Sequence, residues 1–98
     1  GGGTYTYNYA LAKHSLEFIP RSFIDWARKN VLINNLRIGL TNTKVHKRTK
    51  GKNLTSRIKL IPINRMAEPK EISSCIINLA TEKNSYMTGQ TISISGGE

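Results

Sequence analysis

Several kinds of residue and segment are scarce in this 98-residue chain, and each scarcity excludes a class of protein. A single cysteine, Cys75, excludes an internal disulfide framework and fits a reducing compartment, so we expect a cytoplasmic location. No apolar run approaches the roughly 18 residues that mark a transmembrane helix, and no basic-then-apolar leader opens the chain. We therefore expect neither secretion nor a membrane partner.

Potential metal ligands are few as well. His14 and His46 lie far apart in the sequence, and Cys75 falls within a helical pattern. Structural and catalytic metal sites draw their ligands from closer and more regular spacings. The sequence therefore predicts no metal site.

Acidic residues are scarce: six Asp and Glu oppose 15 Lys and Arg, for a net charge of +9. Seven of the basic residues lie in one stretch without an acidic residue: Lys44, Lys47, Arg48, Lys50, Lys52, Arg57 and Lys59. Such a stretch attracts phosphate without reading base sequence, but it has no Phe, Trp or Tyr on which bases could stack. We favour a solvated loop, keep selection of an anionic substrate as an alternative, and rank nucleic acid last.

The first half of the chain reads as a helix followed by a strand. Apolar residues recur at three- and four-residue steps over 9–28, which predicts one helix. Pro20 lies inside that pattern and should kink the helix or divide it; we keep one helix and expect a bend near Glu17–Ile19. Residues 31–36 are short, β-branched and apolar, which predicts a buried strand, and residues 40–57 read as loop with short helical turns.

The second half reads as a helix followed by a strand. Pro69 suits a first helical position and Glu71 suits the first turn, so we expect a helix over 69–81. Its predicted apolar face comprises Ile72, Cys75, Ile76, Leu79 and Ala80. Residues 91–95 alternate Thr, Ile, Ser, Ile and Ser, a strand pattern that follows a turn at Thr88-Gly89-Gln90. Strand, helix and strand in this order predict an α/β fold with a parallel crossover.

Tyr9 and Lys13 are the most informative pair. Four residues apart in a helix, their side chains share one face, about 5–6 Å apart at Cβ. An ammonium beside a phenol favours the phenolate, and such a phenol can exchange a proton with a substrate oxygen. Tyr-x-x-x-Lys alone is a weak signal because these residues often meet at this spacing by chance.

Three later blocks strengthen that signal. They are residues 31–43 (VLINNLRIGLTNT), residues 61–72 (IPINRMAEPKEI) and residues 86–97 (YMTGQTISISGG). With Tyr9 and Lys13, in this order and at these intervals, they resemble the C-terminal part of a short-chain dehydrogenase/reductase. The resemblance implies the C-terminal part of a doubly wound, Rossmann-type parallel sheet with about two strands and two main helices. It divides the chain into a loop (1–8), the catalytic helix, strand and cofactor loop (9–43), a basic substrate-loop region (44–60) and the C-terminal helix and strand (61–98).

The resemblance also implies roles for individual residues. Tyr9 would exchange the proton at the oxygen of an alcohol or carbonyl substrate, and Lys13 would assist it and bind the nicotinamide ribose of NAD or NADP. Gly39 matches the glycine of a Pro-Gly pair whose proline is replaced here by Ile38. Thr43 matches a threonine that contacts the cofactor, and Thr41 follows the same turn. Local hydroxyl hydrogen bonding is the alternative role for both threonines.

Parts of the family pattern do not occur in the chain. Gly1-Gly2-Gly3 follows no strand and opens no helix, so it is not a dinucleotide-binding turn, and the position of the family's catalytic serine is not reached. We therefore expect the chain alone to be marginally stable and inactive, and to need a missing N-terminal half. A homo-oligomer is expected for the intact enzyme, with Leu16, Phe23 and Trp26 at the interface. The alternatives are a basic, non-catalytic binding piece and a truncated gene remnant.

Overall fold

A computed structural model of the chain describes residues 6–45 and 54–98. The chain divides into two compact units. The first unit comprises Gly1–Asn35 and Tyr86–Thr91, and the second comprises Leu36–Ser85 and Ile92–Glu98.

The described residues form two strands, each preceded by helices. The elements are α1 (Tyr7–Ser15), α2 (Arg21–Ile24), a 3-10 helix (Asp25–Lys29), β1 (Asn35–Ile38), α3 (Leu54–Ile58), α4 (Pro69–Ala80) and β2 (Thr91–Ile94). β1 and β2 pair in a two-stranded sheet. The main-chain N–H of Asn35 donates to Gln90 and that of Gly39 donates to Ile94, so both strands run in the same direction. The predicted α/β fold with a parallel sheet is confirmed.

The prediction of one bent helix over 9–28 is wrong, and the other outcome expected of Pro20, division of the helix, is what the structure shows. α1 ends at Ser15, and the main-chain N–H groups of Leu16 and Glu17 donate to carbonyls three residues back, which tightens the helix end. Pro20, at ψ 146°, then precedes the first residue of α2. Because proline lacks the N–H that an uninterrupted helix requires, the chain divides here instead of bending.

The predicted strand over 31–36 is shifted in the structure, where β1 begins at Asn35. Residues 33 and 34 do make hydrogen bonds. Several of these bonds involve the side chains of Thr88 and Asn34, so they are not the regular main-chain bonds of a strand pair. The predicted burial is not found either, because Val31 is exposed and residues 32–36 are half-buried.

The C-terminal helix and strand match the prediction within one residue at each end. Pro69 is the first residue of α4, and Glu71 lies in its first turn. Of the predicted apolar face, Ile72 is buried, Cys75 and Leu79 are half-buried, and the rest is exposed. Side chains of β2 alternate between exposed and half-buried, as the sequence alternation predicts.

The most buried apolar residues belong to the second unit. Among the described residues, Leu40, Ile61 and Ile72 are the buried hydrophobic side chains. The region predicted as loop with helical turns contains α3, while residues 46–53 of the basic stretch lie outside the described residues. None of the described helices is long and apolar enough to cross a membrane.

Candidate active site

Helix α1 carries Tyr9 and Lys13 in the first unit. The main-chain N–H of Ala10 donates to the Thr6 carbonyl at 2.8 Å, which closes the first turn. Lys13 and His14 lie in the last turn, where positive side chains interact favourably with the helix dipole. The helix therefore holds Tyr9 and Lys13 one turn apart, with the amine toward its C-terminal end.

The two side chains occupy the same face of α1. The ammonium nitrogen Nζ of Lys13 lies 5.7 Å from the centroid of the Tyr9 ring. This separation is within the range of a cation–π contact. Both side chains are exposed in this chain, and Tyr9 has 66% of its surface accessible.

The C-terminal end of α1 is tied to the first residue of β1. The side-chain amide of Asn35 donates from Nδ2 to the Leu16 carbonyl at 2.9 Å. Leu16 directly follows the last residue of α1, and its carbonyl is one of those that a helix end leaves without an intrahelical partner. Asn35 thereby satisfies this group and fixes the end of the helix that carries Tyr9 and Lys13. No local sequence signal predicts this bond, because its partners lie 19 residues apart.

A second set of hydrogen bonds joins residues 33–35 to the turn before β2. The Ile33 N–H donates to the Thr88 hydroxyl at 3.0 Å, and the Gly89 N–H donates to the Ile33 carbonyl at 2.7 Å. The Asn34 amide donates to the Met87 carbonyl and accepts from the Gln90 N–H. The sequence indicated only a turn at 88–90, whereas the structure shows that its threonine also bonds the chain before β1.

In the second unit, Gly39 lies against the chain that follows β2. A Cβ atom at this position would lie 2.7 Å from Cα of Ser95 and 3.2 Å from its carbonyl oxygen. Both are main-chain atoms of Ser95, so no rotation of a side chain can relieve the clash. The close approach of the two strand ends therefore explains why this position is glycine, independently of any ligand.

The turn after Gly39 presents main-chain groups. Thr41 donates its hydroxyl to the Gly39 carbonyl at 3.0 Å, which is the local bonding considered as an alternative for the threonines. Over residues 6–45 and 54–98, the N–H and C=O of Thr41 have no hydrogen-bond partner. Ile38 and Thr43, on either side, are exposed. The turn thus offers one donor and one acceptor from adjacent positions on the backbone.

Two depressions occur in the second unit. A cavity of about 120 Å³ is lined in part by Gly39, Leu40, Ala67 and Ser95, and it is smaller than the few hundred Å³ typical of pockets for small molecules. A wide surface depression of about 650 Å³ is lined by Ile58, Asn64, Arg65, Met66, Glu68 and Glu71. None of the predicted site residues lines the wide depression.

The N-terminus of α4 is held by charged side chains, of which the sequence predicted Glu71 in the first turn but not Arg65 or Glu68. Arg65 donates two hydrogen bonds to Glu71, at 2.7 and 2.8 Å, and the Glu68 N–H donates to the same carboxylate. The guanidinium of Arg65 and then the Glu68 N–H lower the pKa of Glu71 from 4.5 to about 2. Glu68 at the N-cap and Glu71 three residues later have the spacing of a capping box, and this spacing is the signal that could have revealed the cap. Among the residues that the structure describes, no cluster of His, Cys, Asp or Glu could hold a metal ion.

Comparison with known protein families gives a match over the full length. A family model described as enoyl-(acyl carrier protein) reductase matches residues 1–98. The 3-oxoacyl-(acyl-carrier-protein) reductase FabG of Buchnera aphidicola is 32% identical over 91 residues, which are 92% of this chain and 37% of that protein. The acetoacetyl-CoA reductase of Rhizobium meliloti is 31% identical over 93% of this chain and 39% of its own length. The chain therefore spans less than two fifths of these relatives.

Solved structures give a similar result. A Serratia marcescens short-chain dehydrogenase/reductase variant superposes with a TM-score of 0.82 at 26% identity, covering 94% of this chain and 38% of its own. A 4-hydroxyisoleucine dehydrogenase complexed with NADH superposes with a TM-score of 0.76 at 26% identity, covering 91% of this chain and 38% of its own.

Proposed function

The chain belongs to the short-chain dehydrogenase/reductase family, and we propose that it is the C-terminal part of an NAD(P)-dependent oxidoreductase that interconverts an alcohol and a carbonyl. The relatives named above are reductases, and the chain shares their fold. The observation that carries the proposal is the position of the Lys13 ammonium 5.7 Å from the Tyr9 ring on one helix face.

Tyr9 is the proposed proton donor in carbonyl reduction and the proton acceptor in alcohol oxidation. Its phenol projects from α1 and is accessible to a substrate oxygen. Lys13 assists because a positive charge nearby lowers the free energy of the phenolate that remains after proton donation. The amine also has donors to spare for a ribose hydroxyl, because an ammonium carries three N–H groups.

The turn at Ile38, Gly39, Thr41 and Thr43 is the proposed contact for the nicotinamide. A bound nicotinamide cofactor supplies or receives the hydride at the substrate carbon. The unpaired N–H and C=O of Thr41 suit a carboxamide, which itself offers one acceptor and two donors. Replacement of the family's proline by Ile38 leaves these main-chain groups in place, because proline would alter only the N–H and φ of its own position.

The substrate class is proposed from the relatives and from charge. Two of them are named 3-oxoacyl-(acyl-carrier-protein) reductase and acetoacetyl-CoA reductase, and coenzyme A carries phosphate groups. The basic stretch Lys44–Lys59 is consistent with an anionic substrate of this kind. We propose a carbonyl compound on such a carrier as the first substrate to test, with NADH and NADPH tested side by side.

We also propose that the intact enzyme is a cytoplasmic homo-oligomer in which an N-terminal half completes the sheet. Leu16, Phe23 and Trp26 are exposed in the first unit, with accessible fractions of 67%, 42% and 46%. The rings of Phe23 and Trp26 stack with centroids 4.8 Å apart, so the two exposed aromatic side chains form one apolar cluster. The lone cysteine fits a reducing compartment.

The proposal is tested by expressing the chain with whatever coding sequence adjoins it in its gene. Purified protein is incubated with NADH or NADPH and with acetoacetyl-CoA, a longer 3-oxoacyl thioester and a simple ketone, and cofactor oxidation is followed by absorbance. We expect oxidation that depends on the carbonyl compound. Absence of both cofactor binding and oxidation would overturn the proposal.

The same preparation tests the basic binding piece that the charge alone suggested. Binding to generic DNA is measured at two salt concentrations, since phosphate-driven affinity falls steeply with salt. The proposed function predicts dinucleotide binding that exceeds DNA binding. Salt-sensitive DNA binding without dinucleotide binding would favour the alternative.

A further inference from the structure

The turn that follows β1 is fastened to the residues that precede α4. The Ala67 N–H donates to the Leu40 carbonyl at 3.0 Å, and the Asn42 N–H donates to the Ala67 carbonyl at 2.9 Å. These two bonds form a parallel bridge between Thr41 and Ala67. In such a bridge one residue, here Ala67, makes both hydrogen bonds to the neighbours of the other. The other residue, here Thr41, directs its own N–H and C=O to the opposite side. The bridge therefore turns both main-chain groups of Thr41 away from Ala67.

A side-chain bond extends this bridge by one residue. The amide of Asn42 donates from Nδ2 to Oε1 of Glu68 at 3.2 Å. A hydrogen bond from an amide to a carboxylate is charge-assisted and stronger than one between neutral groups. The bond fixes a second point of the turn, one residue beyond Thr41.

Glu68 is itself held firmly. It precedes the first residue of α4, its main-chain carbonyl accepts from the N–H of Glu71 at 2.9 Å, and its own N–H donates to the Glu71 carboxylate at 2.7 Å. The Glu71 carboxylate in turn accepts two hydrogen bonds from Arg65. Asn42 thus bonds the side chain of a residue whose main chain is held at the N-terminus of a 12-residue helix.

We propose that Asn42 and Glu68 are a positioning pair that orients the main chain of Thr41 and thereby sets the affinity for the nicotinamide cofactor. The inference rests on the proposed function, in which the N–H and C=O of Thr41 meet the carboxamide. Neither side chain of the pair needs to touch the cofactor. Their effect is to keep the turn in the orientation that binding requires before the cofactor arrives. Binding then does not have to order the turn, a step that would cost free energy and weaken affinity.

The test measures the dissociation constants for NADH and NADPH by fluorescence titration, on the protein expressed with its adjoining coding sequence. Asn42→Asp replaces the donor by a carboxylate that faces Glu68, and like charges repel. We expect the dissociation constant of the preferred cofactor to rise about tenfold. In the double variant Asn42→Asp/Glu68→Gln, the introduced amide can donate to the introduced carboxylate, and we expect affinity to return to within about threefold of wild type.

The control is Asn78→Asp, which makes the same change of charge on an exposed position of α4. We expect it to leave the dissociation constants unchanged. Melting temperatures are recorded for all variants, because a purely structural role would lower the melting temperature without changing affinity. If Asn42→Asp does not fold, Asn42→Ala deletes the donor without adding charge and should still weaken binding about threefold.

The outcomes separate this inference from the proposed function. A wild-type protein that binds neither cofactor refutes the proposed function and this inference with it. A wild-type protein that binds, together with an Asn42→Asp variant of equal affinity, refutes the positioning pair alone. Failure of the double variant to recover affinity also refutes the pair, since it shows that the effect does not pass through the bond to Glu68.

Discussion

At the scale of single residues, the proposed chemistry depends on one phenol and one ammonium. Tyr9 and Lys13 lie on the same face of α1, with the amine 5.7 Å from the ring centroid. This spacing could be predicted from the sequence, because side chains four residues apart in a helix are neighbours. The hydrogen bond of Asn42 to Glu68 could not, because its partners lie 26 residues apart and nothing local signals it.

Removing the charge of Lys13 should slow catalysis. We expect Lys13→Met to reduce kcat by roughly 10- to 100-fold, because the phenolate formed by Tyr9 loses a nearby positive charge. The KM for the cofactor should also rise, since the ribose loses a donor. Steady-state kinetics of NAD(P)H oxidation measure both parameters. Lys29→Met, at an exposed position of the 3-10 helix, is the matched control and should behave as wild type.

Gly39 should tolerate no side chain. We expect Gly39→Ala to lower the free energy of unfolding by about 1–3 kcal/mol, because the new methyl group would meet the backbone of Ser95. Denaturant unfolding measures the change. The double variant with Ser95→Gly should not recover this loss, since the nearest atom, at 2.7 Å, is Cα and not the Ser95 side chain. Full recovery in the double variant would show that the contact is with the side chain.

At the scale of elements, the sequence predicted those whose signals are local and missed those set by distant partners. Pro69 and Glu71 define the start of α4 within four residues, and the alternation over 91–95 defines β2. The apolar periodicity over 9–28 continues through Pro20, although the helix itself is interrupted between Ser15 and Arg21. The start of β1 depends on bonds to the turn at 87–90, more than 50 residues away, which no window of local sequence contains.

The capped start of α4 should lose stability in acid. Because the pKa of Glu71 is lower in the folded chain than its ordinary 4.5, its ionised form contributes stability that is fully present above that value. This contribution is lost as the pH falls from about 4.5 toward 2. Melting temperatures recorded across this range should fall less steeply for Glu71→Gln than for wild type. Identical slopes for the two proteins would contradict a role for Glu71 in this acid dependence.

The C-terminal end of α1 should loosen when its bond to β1 is removed. We expect Asn35→Ala to lower the free energy of unfolding by about 1 kcal/mol, the usual contribution of one hydrogen bond. Hydrogen exchange should accelerate at the last turn of α1, because Asn35 donates to Leu16. Asn34→Ala is the matched comparison, since Asn34 bonds Met87 and Gln90 instead. It should accelerate exchange at residues 87–90 and leave α1 unchanged.

At the scale of the whole molecule, the chain accounts for only part of a family enzyme. It spans 37% of the FabG relative and 38% of the superposed Serratia structure. Among the described residues only three hydrophobic side chains are buried, whereas Tyr9, Leu16 and Trp26 are largely exposed. Apolar surface that is left exposed contributes nothing to folding stability. Turnover should therefore be measured on the protein expressed with its adjoining coding sequence.

The most direct test of the proposed function is the rate of NAD(P)H oxidation by Tyr9→Phe at saturating cofactor and carbonyl substrate. The proposal predicts a rate reduced by roughly 10²-fold or more, because the phenyl ring cannot donate a proton, with the cofactor dissociation constant little changed. Tyr7→Phe, which removes a hydroxyl from the same helix, should retain the wild-type rate. Wild-type turnover by Tyr9→Phe would contradict the assignment of Tyr9 as the proton donor.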